Sequence, residues 1–167
     1  MAAIKPFQGY RPPSDMAGSV SSPPYDVMTS DEARNMVQGN PYSFLRIIKP
    51  EIDFTPENEP KVDALHEHGS ENLHKFISEG KLIQDENPCF YIYQIKMGNH
   101  TQTGIVAAVS IEEYNHGLIK KHEFTRPDKE NDRTRHIEIT NANTGPVFLT
   151  YRNCGKFQNE ISEIKKK

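Results

Sequence analysis

The spacing of apolar residues along the chain predicts its helices. Six positions between 55 and 80 fall on one helical face, which predicts a long amphipathic helix ending at Gly80: Val62, Leu65, Gly69, Leu73, Phe76 and Ile77. Thr29 and Glu32 form a capping-box pair ahead of a short apolar stripe, which predicts a helix from about 30 to 38. A polar helix is predicted from about 127 to 141, and the spacing of Phe157, Ile161 and Ile164 predicts another at the end of the chain.

Short runs of β-branched and aromatic residues predict the strands. The strongest signal is the pair of runs 89–97 and 103–111 around Gly98, which is typical of a β-hairpin. The second run is apolar at consecutive positions, so it is predicted to lie in the centre of a sheet with both faces covered. Shorter strands are predicted over 43–49, 118–119 and 146–151. The whole pattern predicts an α+β fold, with a mixed, largely antiparallel sheet of short strands and flanking helices.

Length and composition narrow the class of protein. The chain has 167 residues, which suits a single α+β domain, predicted over 1–155, with 156–167 as the start of a truncated or frayed helix. No apolar run approaches the roughly 20 residues that span a bilayer, and no signal peptide is recognisable, so we expect a cytoplasmic protein without membrane contact. Cys89 and Cys154 are far apart, which argues against a disulfide framework or a structural zinc site.

The segment Lys120–His136 concentrates the charge of the chain. It holds six basic residues, four acidic residues and two histidines in seventeen positions. One interpretation is a solvated helix stabilised by ion pairs such as Asp132 with Arg135, each contributing a few tenths of a kcal/mol. The interleaved acids and the net charge of −3 argue against nucleic acid as a partner.

The other interpretation of this segment is a phosphate site. Pro127 suits the first turn of a helix that follows a predicted strand, and such a junction presents free backbone amides to an anion. Thr125, Arg126, Lys129 and Arg133 would then bind phosphate, Glu123 would act as a general base or metal ligand, and His122 would orient it or contact phosphate. The chain contains no P-loop, zinc signature, G-x-G-x-x-G or G-x-S-x-G motif.

Tyr25 and Asp26 are a second candidate site, which would bind a substrate. Pro23-Pro24 fixes a rigid, extended entry, which would present both side chains at a defined point for a substrate. The alternative is a proline-rich turn whose tyrosine packs on the core. Asn40-Pro41 and Arg46 also have two interpretations, because each could reach a ligand or simply close a turn. His66, His68 and His74 do not share a helical face, which argues against a metal site among them.

Several separate motifs make the chain similar to the N-terminal part of the DUF1015 family. The resemblance runs from about residue 4 to about residue 155 and rests on these blocks: Pro6-Phe7 with Gly9-x-Arg11-Pro12, Pro23-Pro24-Tyr25-Asp26-Val27, Asn40-Pro41-x-Ser43-Phe44-Leu45, Lys49-Pro50-Glu51, Phe90-Tyr91-Ile92-Tyr93, and His122-Glu123-x-Thr125 through Asp132-Arg133. The family is chiefly uncharacterised and looks related to the ParB-like fold, which includes free-serine kinases that use ADP or ATP. The resemblance therefore implies a ParB-like α+β domain.

The resemblance also implies a reaction. It suggests the N-terminal module of a kinase that uses Mg²⁺ with ADP or ATP to phosphorylate serine or a similar small hydroxyl metabolite. Glu130 or Asp132 would hold Mg²⁺ through water, and Glu123 would accept the hydroxyl proton. Full-length members are longer and carry a downstream Asp-Gly-His-His-Arg block that this chain lacks, so the missing C-terminal part of the same protein is an expected partner. The alternative is a non-catalytic module that senses a nucleotide or binds a partner.

Overall fold

The computed structural model describes residues 2–121, 124–152 and 155–165, without the side chains of 156 and 157. His122 and Glu123 therefore lie outside the described residues. The chain divides into two compact units, and each is described here by itself. The hairpin unit comprises 1–7, 88–119 and 146–167, and the helical unit comprises 8–87 and 120–145.

The helical unit is built from five α-helices and one small sheet. Its helices are α1 (Ala17–Val20), α2 (Ser30–Met36), α3 (Leu45–Ile48), α4 (Val62–Ser78) and α6 (Pro127–Thr140), with short 3₁₀ turns at Tyr25–Val27, Pro50–Asp53 and Pro56–Asn58. Strand β2 (Tyr10–Arg11) pairs antiparallel with β3 (Ile83–Gln84). The core is centred on Leu45, Ile47 and Phe76, which are almost fully buried.

Three of these helices were predicted correctly from the sequence, by their end signals or their periodicity. Thr29 and Glu32 form the expected capping box at the start of α2, where the Thr29 side chain accepts from the Glu32 amide. Helix α4 lies within the predicted 55–80, and α6 covers 127–140 and ends at Asn141 in the left-handed conformation. Each of these helices carries its own periodicity or end signal, so the sequence suffices to place it.

The strand predicted over 43–49 is wrong, because this run forms the short helix α3. Leu45, Ile47 and Ile48 are all buried, and three such close positions can be covered together in a core but not on one face of a strand. Arg46 donates to the carbonyls of Val37 and Asn40 and pairs with Asp53, so it closes the turn. For Arg46 and Asn40, the structural interpretation therefore holds.

The hairpin unit is built on the predicted β-hairpin. Strand β4 (Tyr91–Met97) pairs antiparallel with β5 (His100–Val106) in continuous register, and β1 (Ile4–Lys5) pairs with β6 (Ala108–Val109). Helices α5 (Ile111–Asn115) and α7 (Gly155–Ile164) belong to the same unit. The fold is thus a mixed α+β arrangement whose short strands all pair antiparallel among the described residues.

Three strand predictions for this unit are wrong. Strand β5 is not central, because within the described residues it pairs with β4 alone and its apolar residues are half-buried. Residues 118–119 form a bend, and 146–151 form an exposed segment without regular structure. Apolar β-forming residues become a strand only where a neighbouring edge accepts their hydrogen bonds, which a single sequence does not reveal. No described helix combines the length and the apolar character that crossing a membrane requires.

Candidate functional site

The charged helix α6 packs against α4 through polar side chains. Arg135 on α6 donates to Asp63 on α4 at 3.0 Å, and the Ser70 hydroxyl on α4 donates to the Ile139 carbonyl at 3.4 Å. Arg135 thereby lowers the pKa of the Asp63 carboxyl. The inward face of α6 is the face that is at least partly buried. It carries four polar residues at helical spacing: Asp132, Arg133, His136 and Thr140. The buried face of this helix is therefore polar, which explains why the sequence shows no apolar stripe.

Two histidines meet at the centre of this interface. His66 of α4 is 5% exposed and His136 of α6 is 1% exposed. Their Nδ1 atoms are 3.3 Å apart, and the Nε2 of His136 is 3.1 Å from the Thr144 hydroxyl. Burial, reinforced by the charge of Arg133, lowers the pKa of His136 to about 4, so this imidazole is neutral at pH 7.

Asp132 and Arg133 extend this cluster toward Tyr25. One carboxylate oxygen of Asp132 is 3.3 Å from the Nε2 of His66, and the other accepts from Arg133 at 3.1 Å. The guanidinium carbon of Arg133 lies 4.3 Å from the centre of the Tyr25 ring, a cation–π contact. Tyr25 also packs against the hydrophobic core, as its structural interpretation predicts, and its role in substrate binding stays a prediction. We call Tyr25, His66, Asp132, Arg133, His136 and Thr144 the polar cluster.

The polar cluster holds two buried nitrogen atoms without a hydrogen-bond partner. Among the described residues, only the Nε2 of His66 and the Nε of Arg133 are buried side-chain polar atoms without a hydrogen-bond partner. The contact from His66 to Asp132 is short enough for an ion pair but is not aligned for a hydrogen bond. Nearly all buried polar groups are hydrogen-bonded, so two unpartnered atoms beside one carboxylate are unusual and make the polar cluster the candidate site.

The structure unites some of the residues that the sequence singled out. Tyr25 and Arg133, far apart in the chain, are in contact. Asp26 follows Tyr25 and is exposed. Four further candidates lie exposed at the start of α6 or just before it: Thr125, Arg126, Lys129 and Glu130. The predicted roles of His122 and Glu123 remain predictions, since both residues lie outside the described ranges.

The ion-pair interpretation of α6 is partly confirmed. Arg126 binds Asp128 at 2.7 Å, and Arg135 binds Glu138 at 3.5 Å, both on the surface. The suggested pairing of Asp132 with Arg135 is wrong, because Arg135 reaches Asp63 on α4 while Asp132 turns inward to His66 and Arg133. Exposed pairs of this kind contribute little to stability.

The described residues do not form a direct magnesium site. They contain no group of three histidine, cysteine or acidic side chains that could hold a metal ion. Both oxygens of Asp132 already face nitrogen atoms, and Glu130 is exposed two positions earlier, on another side of α6. The predicted contact of Glu130 or Asp132 with Mg²⁺ through water stays a prediction.

Sequence reasoning missed three members of the polar cluster: His66, His136 and Thr144. His66 was considered only with the other histidines of its own helix, whereas its partner lies on α6. No local signal marks this face, because a helix that is polar on all sides is ordinarily solvated.

A family model described as "Protein of unknown function (DUF1015)" matches residues 4–167. This match covers nearly the whole chain, so the protein belongs to the DUF1015 family. Neither the comparison with curated proteins nor the comparison with solved structures gives a match.

Proposed function

We propose that this protein binds the phosphates of ADP or ATP at the polar cluster and acts as a phosphotransferase module for serine or a similar small hydroxyl metabolite. The proposal includes a relation of the DUF1015 family to the ParB-like fold and the free-serine kinases. In this proposal the C-terminal part of a longer family member would complete the site.

The observation that carries the proposal is the pair of unsatisfied donors. An N–H of His66 and the Nε–H of Arg133 are buried beside Asp132 with no acceptor. Phosphate oxygens are strong acceptors, and hydrogen bonds to charged groups are about twice as strong as neutral ones. A phosphate oxygen could accept a hydrogen bond from either donor.

The surroundings of Arg133 suit a nucleotide. Tyr25 supports one face of the guanidinium, and Asp132 holds one of its nitrogens, so its orientation is restricted. Arg126 and Lys129 add positive charge near the start of α6, which is roughly 9 Å along the helix from Arg133. Tyr25 and Asp26 then face the acceptor substrate, and Mg²⁺ arrives bound to the nucleotide phosphates, as is usual for this ion.

The reaction assigns a role to Glu123 and His122. The substrate hydroxyl oxygen forms a bond to the terminal phosphorus, the bond from that phosphorus to the bridging oxygen breaks, and the electron pair leaves with ADP or AMP. The Glu123 carboxylate accepts the hydroxyl proton, and His122 orients it. Positioning and charge neutralisation supply most of the rate enhancement in such reactions, which fits a site built from cations and fixed donors.

Replacement of Arg133 tests nucleotide binding. In Arg133→Gln we expect the affinity for MgATP, measured by calorimetry, to fall about tenfold or more, because a charged hydrogen bond contributes about 1.5–3 kcal/mol. The matched control is Arg135→Gln on the same helix, whose guanidinium is engaged with Asp63. Equal affinities in both variants and the wild type would contradict phosphate binding at this place.

Replacement of Glu123 tests the reaction. A longer form of the protein that includes the C-terminal Asp-Gly-His-His-Arg block is incubated with Mg²⁺, terminally labelled ATP or ADP, and serine with other small hydroxyl compounds. We expect label to appear in one acceptor, and Glu123→Gln to abolish this transfer while nucleotide affinity is retained. Nucleotide binding without transfer to any acceptor would reject the phosphotransferase and support the non-catalytic sensing module instead.

A further inference from the structure

The two buried histidines connect Thr144 to Asp132 in an unbroken series of close polar contacts. The Thr144 hydroxyl lies 3.1 Å from the Nε2 of His136, the two Nδ1 atoms lie 3.3 Å apart, and the Nε2 of His66 lies 3.3 Å from Asp132. Each neutral imidazole has one N–H donor and one bare acceptor nitrogen. The contacts therefore restrict which nitrogen of each ring carries the hydrogen.

We propose that Thr144 and His136 are positioning residues that keep the hydrogen of His66 on Nε2. A carboxylate paired with a guanidinium offers only acceptor atoms, so hydrogen on the His66 nitrogen 3.3 Å from Asp132 avoids repulsion between two lone pairs. The Nδ1 of His66 is then bare and accepts from the Nδ1–H of His136. The Nε2 of His136 is consequently bare and accepts from the Thr144 hydroxyl.

This arrangement makes His66 a further ligand-binding residue of the polar cluster. Its Nε2–H is one of the two buried donors without a hydrogen bond, and the histidine chain prevents that nitrogen from becoming an acceptor. A bare nitrogen there would repel both Asp132 and a phosphate oxygen. This consequence for ligand binding rests on the proposed function, whereas the positions of the hydrogens do not.

Burial keeps the His136 ring neutral in this chain. His136 is almost completely buried, and a positive charge there would face the guanidinium of Arg133. Because its pKa is lowered to about 4, His136 carries one hydrogen in the neutral range, as the proposed chain requires. No added group or ion is needed to complete the chain at its outer end, since the Thr144 hydroxyl supplies the last donor.

Nuclear magnetic resonance of the imidazole nitrogens tests the chain directly. A long-range proton–nitrogen spectrum at pH 7.5 distinguishes bare from hydrogen-bearing nitrogens, and the variants His66→Gln and His136→Gln assign the signals. We expect hydrogen on Nε2 of His66 and on Nδ1 of His136. Hydrogen on Nε2 of His136, or on both nitrogens of His66, would overturn the proposal.

Replacement of Thr144 tests the consequence for binding. Thr144→Val removes the hydroxyl at nearly constant volume, so we expect a mixture of His136 tautomers and an affinity for MgATP about two- to tenfold lower. Thr144→Ser should restore both, and the exposed Thr134→Val on α6 is the matched control. An unchanged spectrum in Thr144→Val would refute the positioning role. A wild-type protein with the expected spectrum that does not bind MgATP would refute the proposed function alone.

Discussion

Gly69→Ala is expected to destabilise the helical unit by about 2–3 kcal/mol, even though alanine favours a helix more than glycine does. A Cβ atom at this position would lie 2.7 Å from the carbonyl oxygen of Ile47. That oxygen belongs to the backbone of α3, so it cannot move aside as a flexible side chain could. Helices α3 and α4 must separate, which loosens the buried core cluster that includes Ile47 and Phe76.

Thermal unfolding followed by circular dichroism measures this effect. We expect the midpoint of Gly69→Ala to fall by about 5–10 °C. The matched control is Gly18→Ala in α1, where a Cβ would meet no atom within 4 Å. Alanine there should leave the midpoint unchanged or raise it slightly, because it restricts the unfolded chain. Equal midpoints for the two variants would show that the close approach of α3 and α4 does not restrict position 69 to glycine.

Acidification is expected to destabilise the protein through His136. The folded-state pKa of this residue is about 4, below the ordinary value of 6.5 expected in the unfolded chain. Between these two values the unfolded state binds more protons, so the free energy of unfolding rises with pH in this window. As the pH falls from about 6.5 to 4, the loss from this residue amounts to about 3 kcal/mol, and no further loss from it follows below pH 4.

Urea unfolding at a series of pH values measures this slope. His136→Gln cannot take up a proton, so its free energy of unfolding should vary much less between pH 6.5 and 4, even if the variant is less stable at pH 7. His74→Gln removes an exposed histidine of α4 and should keep the wild-type slope, because His136 is still present. A wild-type protein equally stable at pH 4.5 and pH 7 would show that His136 is not held neutral by burial.

The elements that could be predicted from the sequence carry their own signals. Helix α4 shows an uninterrupted apolar face, α2 begins with a capping box, and the β4–β5 hairpin surrounds a glycine with positive φ. The run 43–49 and the segment 146–151 carry no such signal. Their apolar residues suit either a strand or a buried helix, and the packing around them selects the outcome.

Some residues of the candidate site could likewise be predicted from the sequence, and others could not. Arg133 and Tyr25 stood out because charge is concentrated around one and rigid prolines precede the other, and the structure places them in contact. His66 and His136 did not stand out together, because the pairing of two helices far apart in the chain leaves no local trace. Only their burial distinguishes them from the exposed histidines.

The sequence by itself therefore determined the family, the main helices, the hairpin and the charged segment that contains three residues of the candidate site. These properties depend on residue types and spacings within short stretches of chain. Only the tertiary structure decided that the inward face of α6 is polar, that Asp132 turns toward His66, and that two buried donors are unsatisfied. Burial and hydrogen-bond partners arise from the packing of α4 against α6, and no local pattern encodes that packing.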